Sequence, residues 1–409
     1  MKIFMYMLGL VLSGGVFAKD NRDGIAHSII SLNQKIINFD NSLNLDNSIR
    51  EQGVDFLYDS LSLANEVFID KASIGSPSFV DWITTSRKTA GDNPWTRYRS
   101  TMIKGESSYV LEGKFGDTLY LGIQVYTLRD GRNVALPEKN VSTDNIKVGD
   151  NGTFRIEIGP TAAENGITTD ANDYMLIVRE YYANGAVRKN APAELMIKQT
   201  DGDFDTPFIA SSSERITRAS AFLTSLVESS LDLTSQMSKS KNTSADVNPR
   251  PDLVQALFPT TDNRYDGFYI QLENDKAIKL TGKIPANLKY ASITYYNPYY
   301  ATVDYDKNKT YITKDELELN ADGSYEVYIT KFDIKDKKNL ITTQGYNEGV
   351  ISVRYLGKEE IEFETKVIDV NDIPNKDIKK DERNGGGGSV PAELLILGAV
   401  YMARKSLVS

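Results

Sequence analysis

The chain has 409 residues, 40% of them hydrophobic and 25% charged, which is enough apolar material to bury one or more sizeable cores. It contains no cysteine, which excludes disulfides, thiolate nucleophiles and Cys-ligated zinc, and a single histidine, which excludes metal sites built on two or three imidazoles. The formal net charge of −9 argues against nucleic acid and anionic lipid headgroups as main partners.

Residues 1–18 read as a secretory signal peptide. Lys2 supplies the positive start, residues 3–16 are apolar, and Val16-Phe17-Ala18 offers a small-residue cleavage site. The apolar run is shorter than the ~20 residues of a spanning helix. Residues 19–77 form a helical region. Ile25, Ile29, Ile30, Leu32, Ile36 and Ile37 make one stripe near a 3.6-residue period, and Val54, Leu57, Leu61, Leu63 and Val67 make another, with a break at 41–46.

From about residue 78 the pattern turns strand-like, rich in Tyr, Val and Ile between Gly, Asn and Asp. We expect a first β domain over 78–205, a helical insert and linker over 206–250 with its helix near 211–240, and a second β domain over 251–370. Residues 371–388 are a charged stalk ending in a Gly-rich motif, too poor in apolar residues to order itself. Residues 389–409 carry a C-terminal hydrophobic segment.

The two β blocks look like copies. Tyr120-Leu-Gly-Ile-Gln-Val-Tyr126 matches Tyr290-Ala-Ser-Ile-Thr-Tyr-Tyr296, and Leu111-Glu-Gly-Lys114 matches Leu280-Thr-Gly-Lys283. Residues 150–158 match 321–329, and residues 176–181 match 351–355, in the same order with small loop insertions. Asn151-Gly152 and Asp322-Gly323 supply equivalent turn signals. The expected fold is mainly β with helical additions: two related antiparallel β-sandwich or jelly-roll-like domains, an N-terminal helical pair and the insert. One larger β domain with generic strand similarity is the alternative.

Lys88-Thr-Ala-Gly-Asp-Asn-Pro94 followed by Arg97-Tyr98-Arg99, the strand at 120–125, the Asp-Gly turn before 324–329 and the Val-Arg-Glu-Tyr strand at 178–181 resemble the family known as domain of unknown function 1214. The resemblance covers roughly 75–200 and, more loosely, 264–368. It implies an antiparallel β fold and no settled activity. An Asn-Trp-Leu-Pro-like segment common in that family is absent at 167–174 and 341–347.

The C-terminus resembles a second known element. Gly385, Gly386, Gly387, Gly388 and Ser389, then the apolar 394–402 and Arg404-Lys405, are similar to the glycine-glycine C-terminal sorting signal of Gram-negative bacteria. That resemblance implies processing by a rhomboid-type protease, rhombosortase, after signal peptidase has acted. It also implies export by type II secretion and release or display at the outer cell surface. Glu393 lies inside the apolar run, and a charge at the bilayer centre costs about 2.5–3.5 kcal/mol on insertion scales, so the segment suits a transient anchor better than a permanent one.

Candidate chemistry is sparse. His27, the only imidazole, lies in the helical region. Asp201, Asp203 and Asp205 offer an oxygen at every second residue, a spacing that can wrap calcium, although Thr206 and Ser212 stand where an EF-hand requires Gly and Glu. Asp304 and Asp306 repeat the spacing. A solvated acidic turn is the plainer reading, so no cofactor is expected beyond this candidate structural calcium.

Tyr295, Tyr296, Tyr299 and Tyr300 cluster around Asn297-Pro298. Alternation puts about half of such rings on the solvent side, where they suit sugar stacking or protein contact. Ordinary strand propensity explains the cluster equally simply. Arg179 and Arg354 hold equivalent positions in the two copies, and a buried arginine calls for a carboxylate. An inter-strand ion pair is therefore expected ahead of an anion site. The expected function is an exported, surface-displayed module binding an extracellular glycan, envelope component or protein. The alternatives are a secreted hydrolase using Asp/Glu acid–base chemistry and a structural surface or matrix protein.

Overall fold

The computed structural model describes residues 24–374, except 85, 130–131, 184–189, 203–210, 244–256, 286 and 335–336, together with 378–379. The expected signal peptide, most of the stalk and the C-terminal segment lie outside these residues.

Helix α1 spans Gly24–Leu43 and α2 spans Asn47–Asn65. Between them Asn44 adopts a left-handed backbone at φ 55°, the conformation that ends helices and that Asn tolerates. A π-helical turn, Glu66–Asp70, extends α2. Helix α3, Ser212–Met237, begins at an N-cap: the Ser211 hydroxyl accepts from the Glu214 amide. It packs against both α1 and α2. Among the described residues no helix is long and apolar enough to cross a membrane.

The first β block contains β1 (Val80–Asp81), β2 (Thr96–Met102), β3 (Tyr109–Lys114), β4 (Tyr120–Arg129), β5 (Arg132–Ser142), β6 (Thr153–Gly159), β7 (Ile167–Thr168), β8 (Asp173–Tyr181) and β9 (Glu194–Gln199). One sheet has the order β1-β2-β8-β4-β5, and the other β7-β6-β3-β9. The second block contains β10 (Asn263–Gln271), β11 (Lys276–Lys283), β12 (Tyr290–Tyr296), β13 (Tyr311–Thr313), β14 (Ser324–Thr330), β15 (Asp333–Ile334), β16 (Leu340–Thr342), β17 (Glu348–Leu356) and β18 (Phe363–Asp369), with β19 (Ile378–Lys379) pairing β15. Its sheets have the orders β10-β17-β12-β13 and β16-β14-β11-β18.

These orders repeat. Replacing β2, β8, β4 and β5 by β10, β17, β12 and β13 turns one inner sheet into the other, and the outer sheets correspond in the same way. The correspondence extends to the parallel pairs, β6 with β7 and β14 with β16, in otherwise antiparallel sheets. Gly152 and Gly323 occupy equivalent turns at φ 74° and 81°. The fold is mainly β with helical additions, and the repeat seen in four sequence segments extends through eight strands of each block.

Each block is a sandwich with its own core. Leu121, Ile123 and Val178 of the first inner sheet pack on Leu111, Ile156 and Ile158 of its outer sheet. Ile293, Ile351 and Val353 pack likewise on Leu280, Val327 and Ile329. The opposite faces of the two inner sheets are covered as well. They meet directly at Tyr120, Tyr181, Tyr290 and Leu356, and the three helices fill the remainder against Tyr126, Ile177, Tyr269 and Tyr296. Strands β12 and β17 are consequently buried at every position. A doubly covered sheet loses the alternation that marks a half-exposed one.

Candidate functional site

The tyrosines singled out by sequence do not form an exposed platform. Tyr295 is buried in the second sandwich, where its hydroxyl donates to the Glu348 carbonyl at 2.8 Å. Tyr296 faces the other way, also buried, and donates to the Asp92 carbonyl at 2.8 Å. Tyr299 is wedged between Phe39 of α1 and Phe56 of α2 and donates to Asp40 at 2.7 Å. Only Tyr300, held at φ 61°, borders open space, with its ring 4.9 Å from that of Tyr296. The expectation that half of these rings face solvent fails because the inner sheets are covered on both sides.

The acidic turn resolves in part. Asp201 accepts from the Ser108 amide at 2.9 Å and so closes a surface turn, whereas Asp203 and Asp205 lie outside the described residues, as do Gly385, Gly386, Gly387, Gly388 and Ser389. Among the described residues no group of three or more His, Cys, Asp or Glu side chains is arranged to hold a metal. His27 is exposed on α1.

The two arginines are brought together. Both line one cavity of ≈ 60 Å³ between the inner sheets and the helices. Arg179 is 4% exposed and Arg354 5% exposed. The expected carboxylate partner is not there: among the described residues no ion pair reaches either guanidinium. The contacts are reciprocal instead. Arg354 Nη2 donates to the Gly91 carbonyl at 2.9 Å, and Arg179 Nη2 donates to the carbonyl of Phe258, the residue equivalent to Gly91. Tyr296 reaches the carbonyls of Gly91 and Asp92, and its counterpart Tyr126 reaches those of Phe258 and Pro259. Tyr98 and Tyr265 match too: each hydroxyl accepts an amide five residues upstream, from Asn93 at 3.1 Å and from Thr260 at 3.2 Å. Contacts in which i meets j′ while i′ meets j are what a two-fold relation produces.

The loops that receive the arginines share an unusual backbone. Gly91 sits at φ 66° and Phe258 at φ 55°, both left-handed, which turns their carbonyls toward the guanidinium of the other repeat. Glycine is required at the first position. A Cβ there would approach Tyr300 Cε1 to 2.3 Å. Phe258 holds the same conformation with a side chain because its ring is locked between Trp82 at 5.1 Å and Tyr126 at 5.2 Å.

The two-fold relation is not exact: Arg179 Nη2 also donates to the Tyr126 hydroxyl at 2.7 Å, a bond with no counterpart from Arg354 to Tyr296 among the described residues. Arg354 Nη1 lies 3.3 Å from the Tyr98 hydroxyl. Among the described residues the equivalent bond from Arg179 to Tyr265 is not made, and Arg179 Nη1 and Arg354 Nε find no hydrogen-bond partner. A buried donor of a charged group without an acceptor costs well over a kcal/mol, so such atoms ask for a ligand or water. Burial raises the phenol pKa of Tyr98, and pushes that of Tyr126 up to about 12, so these hydroxyls stay neutral around the guanidinia. Two carboxylates border the same space. Asp92 is raised by burial and held by Thr302, whose amide donates at 3.0 Å; Asp266 is likewise raised by burial.

A second concavity is larger, ≈ 530 Å³, and lies between α2 and the loop after β12. Asp55, Asp59 and Asp304 line it with Tyr58 and Tyr305. Burial pushes the Asp59 carboxyl up to about 6 against the bond it accepts from the Lys88 amide.

The sequence shows the equivalence of Arg179 and Arg354 and carries Gly91 and Tyr98 only as parts of a family-like motif without a role, and its reading passes over Phe258 and Tyr265. A signal was present: the Arg-Tyr pair recurs at 97–98 and 264–265, each tyrosine seven residues past its left-handed loop position.

Comparison with known proteins adds a family for part of the chain. Residues 255–358 match a family described as proteins of unknown function, DUF1214. That stretch carries Phe258, Tyr265 and Arg354. No curated protein matches the chain. Among solved structures, an uncharacterised protein from Burkholderia cenocepacia is similar over 86% of this chain and 98% of its own, at 18% identity and a TM-score of 0.76, which places the two in one fold. A protein from Vibrio parahaemolyticus aligns over 76% of this chain and 97% of its own at 11% identity, with a TM-score of only 0.40.

Proposed function

We propose that the protein is an exported binding module that holds a small anion in the cavity between its two β repeats. The observation that carries this reading is the pair of buried guanidinia on one cavity, each with an N–H that finds no acceptor among the described residues. Protein interiors pair buried charge or coordinate it, and two like charges facing one space are satisfied together by an anion. The ligand rather than a neighbouring carboxylate thus supplies the compensation that an inter-strand ion pair would have given.

A panel of small anions at fixed ionic strength tests this by thermal unfolding. At least one member should raise the midpoint, by the equivalent of about 2.7 kcal/mol at a hundredfold excess over its dissociation constant. The Arg179→Met/Arg354→Met double variant should respond to none. A wild-type protein indifferent to the whole panel would refute the reading.

The route outward rests on Met1 to Ala18 and on the resemblance of Gly385 to Lys405 to a sorting signal. Signal peptidase, a rhombosortase-type protease and the type II secretion machinery are the proposed processing partners, with the module ending free or displayed on the outer surface. Intact-mass measurement of the secreted and outer-membrane fractions should give a chain starting near Lys19 and ending near the glycines. Recovery of the uncut chain from the inner membrane would exclude that route.

A further inference from the structure

Resting on the reading that the cavity holds an anion, we infer that its ligand is a short-chain aliphatic monocarboxylate, with the carboxylate between Arg179 and Arg354 and the hydrocarbon chain directed at α3.

Three features of the cavity select this class. The first is composition. Away from the guanidinia the walls are Trp82, Leu233, Met237, Leu257, Phe258 and Val350. Leu233 and Met237 stand one helical turn apart on α3, so they present a continuous apolar strip. A wholly polar anion would leave that strip facing an ion, whereas an alkyl chain buries surface against it at roughly 25 cal/mol per Å².

The second is charge. Asp92 and Asp266 border the same space as the arginines. A dianion such as succinate or hydrogen phosphate would set its second charge against a carboxylate or against the apolar wall. A single negative charge faces the guanidinia and sets no second charge against Asp92, Asp266 or the apolar wall.

The third is size. A site of ≈ 60 Å³ has room for about four to six water-sized positions at ~10–15 Å³ each. That suits a molecule of a few heavy atoms, such as a carboxylate with a tail of two to four carbons, and excludes long fatty acids and sugars.

Isothermal titration of the protein with acetate, pentanoate, pentanol, succinate and inorganic phosphate tests the assignment. Pentanoate should bind at one per chain, at least tenfold more tightly than acetate, for want of a tail, and than pentanol, for want of charge. Succinate and phosphate should bind more weakly than pentanoate. Arg179→Met should lower pentanoate affinity at least tenfold. Leu233→Trp, which fills the tail end without touching the arginines, should abolish the preference for pentanoate over acetate while acetate binding persists; this variant serves if the arginine variant fails to fold. Phosphate or succinate binding as tightly as pentanoate would overturn the carboxylate assignment and leave the anion reading standing. Binding of none of the four anions would overturn both.

Discussion

Arg354→Met should fold and should be more stable than the parent protein by about 1–2 kcal/mol in denaturant titration without added ligand. Burying a guanidinium costs several kcal/mol even after relaxation, and among the described residues no carboxylate stands within ion-pair distance to offset it. Its two bonds, to the Gly91 carbonyl and the Tyr98 hydroxyl, are not the only ones those acceptors have. The Gly91 carbonyl also lies 3.5 Å from the Tyr296 hydroxyl, and Tyr98 still accepts from the Asn93 amide. Removing the arginine therefore orphans little, and methionine keeps most of its volume in apolar form. One effect opposes the gain: Arg354 eases the burial-raised pKa of Asp92, and without it that carboxyl is still harder to ionise. The net gain should come with complete loss of the anion-induced rise in midpoint. A stability gain joined to a binding loss marks a residue kept for its ligand. A variant less stable than its parent by more than about 1 kcal/mol would make Arg354 a structural residue.

Tyr299→Ala should cost about 3–5 kcal/mol, the range for deleting a large buried ring. The side chain is fully buried and joins both N-terminal helices to the second β block. It packs 5.7 Å from Phe39 and 6.0 Å from Phe56, centroid to centroid, and lies so close to α2 that a Cβ on Gly53 would come within 2.7 Å of its ring. Its hydroxyl is also a donor to Asp40, which is buried and whose pKa burial raises. Tyr299→Phe separates the two contributions: it keeps the packing, strips Asp40 of that bond, and should cost only about 1–3 kcal/mol. Equilibrium urea titrations of both variants give the comparison. If Tyr299→Ala retained full stability and lost ligand binding instead, the ring would belong to a site and not to the core.

What the sequence could reveal follows from which interactions are local. The helical period at 24–67 and the turn glycines at 152 and 323 act within a few residues and appear where the pattern places them, although Ile30 and Ile37 of the first stripe are exposed. The repeat was legible because strand composition and turn spacing were both kept. Cover was not legible. Ser292 and Thr294 alternate with apolar residues in β12 and read as a solvent face, yet both are buried, because helices and the other repeat lie over them. The cavity escaped for a similar reason. A buried arginine was expected to recruit a carboxylate, but Arg179 and Arg354 use backbone carbonyls 79 and 263 residues away in the chain. The carbonyls point there only because Gly91 and Phe258 are left-handed, and nothing in the side chain of Phe258 announces that conformation.

The unequal bonding of Arg179 and Arg354 has a consequence for how a ligand can sit. Two separate copies of one chain meeting about an exact axis must repeat every departure twice, and a molecule lying on that axis finds two indistinguishable poses. Here both halves are drawn from one polypeptide, so each was free to drift alone. Tyr181 and Leu356 hold equivalent places, and the two guanidinia use different phenols: Arg354 the Tyr98 hydroxyl of the other repeat, Arg179 the Tyr126 hydroxyl of its own. An anion held as proposed would therefore meet two unlike guanidinium environments, and its head and tail would have one orientation rather than two indistinguishable ones.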